Sequence, residues 1–344
     1  MSVPECYFGK TTPLAACLGA MDPFYVPVLT RKLLPEQKKK AESISMSFQS
    51  PSISPESLVK LASQFDAARW VMRDIGGSDP EVMTPANIAE YVNNLFPAGS
   101  AVKVQVAQGK EHFEKNYPLF AAVNRGVANH PKHSGRIIFL EYEGEGPIQQ
   151  TLYLVGKGVV YDTGGHDLKT DGHMAGMHLD KCGAASVAGI FKFLNDAKPK
   201  GIRVEGAMAC VRNEIGPDAY VADEIITARS GARVVVINTD AEGRMAMGDV
   251  LCEMKERALT RNDPLPPQLF TIATLTGHAV VAFGDGYSAV MENGPAKKLD
   301  IARRLQKAGE ALVDPWELSS LRREVGFNLY NILICDMARI SIGL

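Results

Sequence analysis

No uninterrupted apolar run in the 344 residues approaches the roughly 18 needed to cross a bilayer, so no membrane-spanning helix is expected. The opening MSVPECYFGKTTPLAACLGAMDPFYVPV lacks a basic stretch leading into an apolar core, and no secretory leader is read there. Cys6, Cys17, Cys182, Cys210, Cys252 and Cys335 never fall at CxxC spacing, which favours free thiols in a reducing compartment over a disulfide or zinc framework. A cytoplasmic protein is expected. Neither sign of charge is in excess: 37 basic against 39 acidic residues give a net charge of -2, with no global field for nucleic acid or an anionic membrane. The FGKTT at Phe8 to Thr12 lacks the glycine that a phosphate loop needs five positions before Gly9, because Pro4 stands there.

What the chain has is enough apolar residue, 46%, for a substantial core. Residues 1–55 contain the basic run RKLLPEQKKKAES and the Ser/Pro-rich SFQSPSISPES, and read as an abbreviated or weakly structured leading segment. Residues 56–344 read as the main folded domain. Apolar residues at three- and four-residue steps from Ser57 predict a helix, and Thr84 followed by Pro85 predicts the start of another. From Arg136 strands and helices alternate: RIIFLEY and TLYLVGKGVVY as strands, GAASVAGIFKFLNDA as a helix, RVEGAMACV as a strand, ARVVVINTD as a buried strand leading into a helix, LFTIATLTG as a further buried strand, and AKKLDIARRLQKAGEAL as a helix. That order predicts a three-layer α/β/α domain around a mixed, largely parallel sheet, with its site at the carboxyl ends of the strands.

Two strand ends carry charges that an apolar setting makes costly. In LVGKGVVYDTGGHDLKTDGHMAGMHLD, Lys157, Asp162, Lys169 and Asp180 punctuate a Gly-rich passage; in NTDAEGR, Asp240, Glu242 and Arg244 crowd one turn. Asp162, Asp180, Asp240 and Glu242 supply enough oxygen for two divalent ions, and a neutral Lys157 amine completes one shell, since a nearby cation favours the deprotonated form. Two ions about 3.5 to 4 Å apart hold a bridging hydroxide and polarise a carbonyl, which is hydrolytic chemistry. Lys169 is then free to stabilise an oxyanion, and Arg244, which keeps its proton, to anchor a small anion.

At these residues the chain resembles the leucine aminopeptidases of the dinuclear M17 type, through NTDAEGR and through VGKGVVYDTGG, LK and the D and GAA that follow. Weaker similarity runs from about Ser57 to about Arg323, beyond which the sequence diverges, and the resemblance implies that 56–344 is the catalytic domain. The resemblance implies two zinc or manganese ions on Lys157, Asp162, Asp180, Asp240 and Glu242, with Asp162 and Glu242 shared between them. It implies Lys169 and Arg244 as the catalytic pair, the arginine holding a bicarbonate that acts as base. Met177 and the loop of Thr274, Leu275 and Gly277 correspond to the substrate pocket, and Asn238 to a position near the bound amino group. Removal of an amino-terminal residue from peptides, by a homo-hexamer, is the implied activity.

Other readings of the same residues exist. NTDAEGR alone suits a strand, polar turn and helix cap, and a lysine at a strand end is ordinarily a surface residue. His166, His173 and His178 suggest zinc, but spacings of seven and five do not share a helical face, so they read as loop or pocket-wall residues. A dinuclear phosphoesterase would use similar carboxylates but usually recruits histidine ligands. A catalytically silent relative, serving as a structural or regulatory subunit, is the alternative to the enzyme.

Overall fold

The computed structural model describes residues 12–47, 54–261 and 263–321. Helices α1 (Thr12–Met21), α2 (Val28–Leu33), α3 (Pro55–Gly76) and α4 (Pro85–Leu95) precede strand β1 (Val102–Ala107). Helices α5 (Lys110–Asn116) and α6 (Pro118–Asn124) lead into β2 (Arg136–Glu143) and β3 (Gln150–Asp162), and α7 (Cys182–Ala197) carries the chain to β4 (Ile202–Asn213). Then come β5 (Ile225–Thr227), β6 (Arg233–Val235), α8 (Glu242–Thr260), β7 (Gln268–Ile272), α9 (His278–Phe283), β8 (Ser288–Met291), α10 (Gly294–Lys298), α11 (Ile301–Leu312) and β9 (Trp316–Ser319). No described helix is long and apolar enough to cross a membrane.

The central sheet has the order β1-β2-β4-β3-β7. β3 lies parallel to β4 and β7, whereas β2 is antiparallel to β1 and β4. Four strands therefore run one way and β2 alone is reversed, a mixed sheet as expected. Strand alternation divides its side chains between two cores. Ile138, Leu140, Val204 and Met208 pack with α3, α4 and α7, while Ile137, Phe139, Ala207 and Ala209 pack with α5, α6 and α8. These are the three layers that the sequence pattern predicts.

Local chemistry sets the element ends. Ser54 and Thr84 cap α3 and α4 through their side chains, each with a proline inside the first turn. Within the leading segment, Leu14, Cys17 and Leu18 of α1 are buried against Leu58 and Ala62 of α3.

Three elements differ from the sequence expectation. The ARVVVINTD stretch forms a three-residue strand that pairs only with β5, outside the central sheet, and Ile237 is 52% exposed. Its β-branched residues serve a short hairpin: Val236 is buried while Val234 and Val235 are half-buried. β7 is paired only with β3, and of its residues Thr271 alone is buried. The AKKLDIARRLQKAGEAL helix is divided into α10 and α11 at Asp300, whose φ of 55° is left-handed, a conformation that aspartate tolerates better than most residues.

Candidate metal centre

The site is assembled where β3, β4 and β7 end and the 239–242 turn begins α8. On β3, Lys157 and Val159 pair with Ala209 and Val211, but Asp162 pairs with Asn213, so one extra residue is inserted between Val159 and Asp162. This bulge returns Asp162 to the sheet face that already carries Lys157. Simple alternation would have sent it to the other side.

A short 3-10 helix, Met177–Lys181, delivers Asp180, and the turn Thr239–Ala241 delivers Asp240 just before Glu242 opens α8. Gly243 makes the approach of α8 feasible: a Cβ there would lie 2.5 Å from Lys157 Cε and 2.8 Å from its Nζ.

Carboxylate oxygens of Asp162, Asp180 and Glu242 lie within 4.8 Å of one another, and all three residues are buried. Lys157 Nζ is 2.8 Å from Asp180 Oδ1 and 2.8 Å from Glu242 Oε1, and donates to the Thr274 carbonyl at 3.2 Å. Lys169 Nζ is 3.0 Å from Asp162 Oδ2 and contacts Asp240 Oδ1. Thr274 Oγ1 donates to Asp180 Oδ1 at 2.7 Å. Six residues far apart in the sequence thus form one cluster in which each lysine spans two acids.

Burial works against the Lys157 charge, but Glu242 and Asp180 outweigh it and hold its ammonium above the usual lysine range. Hydrogen bonds to Asp240 and Asp162 likewise overcome desolvation at Lys169 and raise it. Desolvation also raises Asp180 and Asp240, and pushes Glu242 up to about 8, with neighbouring carboxylates adding to the effect on each. Asp180, Asp240 and Glu242 therefore hold protons more firmly than separate acids in water do.

Asp180 Oδ2 and Glu242 Oε2 are buried with no hydrogen-bond partner. Leaving a buried carboxylate oxygen unpaired costs on the order of 1 to 3 kcal/mol, a penalty that a bound cation removes. Hard oxygen donors converging with one lysine nitrogen fit divalent ions of the zinc or manganese type.

The remaining expected residues stand on the same short segments as members of this cluster. Arg244 is exposed on the first turn of α8 and makes no ion pair among the described residues. Asn238 accepts the Asp240 N–H at 2.6 Å and so caps the turn. Met177 begins the helix that bears Asp180, and Leu275 and Gly277 continue from Thr274 on the exposed loop beyond β7. The described residues yield no histidine metal group; His166 Nδ1 instead lies 3.1 Å from the Tyr220 carbonyl.

Several residues escaped the sequence reading. Lys181, fully buried, donates to the carbonyls of Ser78, at 2.9 Å, and His178, tying the Asp180 helix to the end of α3. Desolvation lowers its pKa to about 8. Asn213, Thr239 and Tyr220 are also buried around the site. For Asn213 and Thr239 the available signals were a polar residue ending the apolar β4 run and the threonine just before Asp240 in NTDAEGR.

Comparison with known proteins adds sequence and fold. The pattern of the "Cytosol aminopeptidase family, catalytic domain" matches residues 70–341. A Caenorhabditis elegans protein that carries an aminopeptidase name is 46% identical over 324 residues, 94% of this chain and 60% of that protein. The cytosol aminopeptidase of Pseudomonas aeruginosa is 38% identical over 248 residues, 72% of this chain and 47% of its own length. The structure of leucyl aminopeptidase from Trypanosoma cruzi superposes with a TM-score of 0.76 at 26% identity, covering 95% of this chain and 61% of that one. The chain spans about half to three-fifths of the length of these relatives.

Proposed function

The chain belongs to the cytosol aminopeptidase family, and from that premise we propose that it removes the amino-terminal residue from peptides, using two divalent ions held by Lys157, Asp162, Asp180, Asp240 and Glu242. Members of this family are metal-dependent exopeptidases. The observation that carries the proposal is the buried convergence of Asp162, Asp180 and Glu242, with two of their oxygens unpartnered. When bound, zinc or manganese ions polarise a carbonyl and make the proton of a bound water easy to lose.

The protein's own groups then have separate tasks. Lys157 is the one cation of the cluster in contact with both Asp180 and Glu242, and as a neutral amine it becomes a ligand. Lys169 keeps its proton between two acids and stabilises the negative charge that develops on the substrate oxygen. Arg244 offers its fork of donors to a small anion, bicarbonate, which receives the proton from water. Met177, Asn238, Thr274, Leu275 and Gly277 border the space for the departing residue and its amino group.

The test loads the protein with manganese or zinc and assays leucine amide and other aminoacyl amides beside Lys169→Ala and Asp240→Ala. Turnover in the parent protein and its loss in both variants is the expected result. Two bound ions without turnover would identify a silent relative instead. A homo-hexamer in the cytoplasm belongs to the same proposal, and native mass measurement reads the subunit count.

A further inference from the structure

The segment that follows β3 and the turn that precedes α8 are joined to each other by residues outside the carboxylate cluster. Asn213, wholly buried at the end of β4, donates from one amide nitrogen to Asp162 Oδ1 at 2.8 Å and to the Thr239 carbonyl at 3.1 Å. Both partners only accept, which fixes the orientation of the amide. Thr239 Oγ1 donates to the Gly164 carbonyl at 2.6 Å and accepts from the Asp167 N–H at 2.8 Å. The Thr239 N–H returns to Asp167 Oδ2 at 2.6 Å, and Tyr220 adds a hydroxyl to the Thr239 carbonyl at 2.7 Å.

Asp162 ends β3 and Lys169 stands on the loop that follows it; Asp240 lies in the turn before α8 and Glu242 opens that helix. Asn213, Thr239 and Asp167 are the bonds between them. The backbone accommodates the junction at Gly165, whose φ of 66° is left-handed and where a Cβ would lie 2.9 Å from Thr239 Oγ1 and 3.1 Å from Asn213 Oδ1. A second cross-link holds the loops on the other side, where Lys169 contacts both Asp162 and Asp240. That link depends on a lysine shared between two acids, whereas Asn213 and Thr239 are uncharged, buried side chains that bridge carboxylates and backbone carbonyls.

We propose that Asn213, Thr239 and Asp167 form a clasp that sets the separation of Asp162 from the Asp240 and Glu242 turn, and through it the affinity for divalent ions. The inference rests on the proposed dinuclear site. Asn213 and Thr239 are positioning residues: they act through the carboxylates they hold. Outer partners of metal ligands typically change affinity by about 10- to 100-fold when removed, and the clasp falls in that class.

The test measures Mn²⁺ binding directly by calorimetry on the whole chain, with thermal unfolding in chelator as a parallel readout. Asn213→Ala and Thr239→Val, the latter keeping the threonine shape without its hydroxyl, weaken at least one ion by about 10-fold or more. Thr239→Ser, which keeps the hydroxyl, restores binding to within a few-fold of the parent. Variants that unfold at lower temperature yet bind Mn²⁺ with parent affinity would overturn the clasp and leave a purely structural role. If Asn213→Ala does not fold, the Thr239 pair decides alone. A parent chain that takes up no Mn²⁺ would instead overturn the dinuclear reading on which the clasp rests.

Discussion

The two ends of α8 each carry a cluster of acids and bases, and the clusters are built for different purposes. At its start, Glu242 faces Lys157, Asp180 and Asp162 in a buried setting where acids exceed available donors. Toward its end, Glu253 and Glu256 meet guanidinium groups: Arg229 grips Glu256 through three N–H···O contacts of 2.8 to 3.2 Å, and Arg257 bonds Glu253 while lying over the Phe139 ring at 4.4 Å. Burial pushes Glu242 up to about 8, whereas the Arg229 hydrogen bonds draw the half-exposed Glu256 below its usual range.

The choice of cation separates the two. A guanidinium keeps its proton and its fork satisfies a carboxylate in place. A lysine is a compact point charge that can surrender a proton, which is what the ligand role proposed for Lys157 requires. One end is a clamp; the other is exchangeable.

The sharpest way to break this contrast is to exchange the cations. Lys157→Arg removes the amine, and the bulkier group meets the close approach of Gly243; uptake of the second metal ion and aminoacyl-amide turnover both fall by at least the ~100-fold that loss of an outer partner costs. Parent-like metal uptake in Lys157→Arg would erase the distinction. Gly243→Ala tests the same packing more gently. The added methyl collides with the Lys157 side chain, so a loss of about 1 to 3 kcal/mol is expected in denaturant unfolding.

pH separates the clusters through their opposite shifts. Because the folded Glu242 value lies above the unfolded one, its contribution to stability is present below the unfolded value and is lost as pH rises toward about 8. In chelator, thermal stability should decline from about pH 5 to pH 8. Metal binding requires the deprotonated acid, so Mn²⁺ affinity should rise over the same interval, with protons released on binding. The smallest effect is expected at the other end: Glu256→Gln changes stability by no more than about 1 kcal/mol and leaves metal affinity unchanged, as isothermal titration will report.

The sequence shows the first cluster more readily than the second. Lys157, Asp162, Asp180, Asp240 and Glu242 stand out because charge is conspicuous against glycine and valine, and the fold follows from runs such as RIIFLEY that have nowhere but a sheet core to go. Thr84 with Pro85 was equally legible, since capping is a local interaction. What was not legible depends on partners distant in the chain. The bulge between Val159 and Asp162 is defined by register with β4, and the short β6 by its hairpin partner β5. Lys181 reads as a surface lysine until the Ser78 carbonyl just beyond α3 joins that of His178 around it, and Asn213 reads as a strand-end polar residue until Asp162 and Thr239 meet it.

Anomalous diffraction from crystals grown with Mn²⁺ tests most directly whether these acids exist to hold ions. Two peaks enclosed by Asp162, Asp180, Asp240 and Glu242, one of them bonded to Lys157 Nζ, are predicted. A crystal in which manganese scatters elsewhere, or nowhere, with the lysines still seated between the acids, would contradict the account.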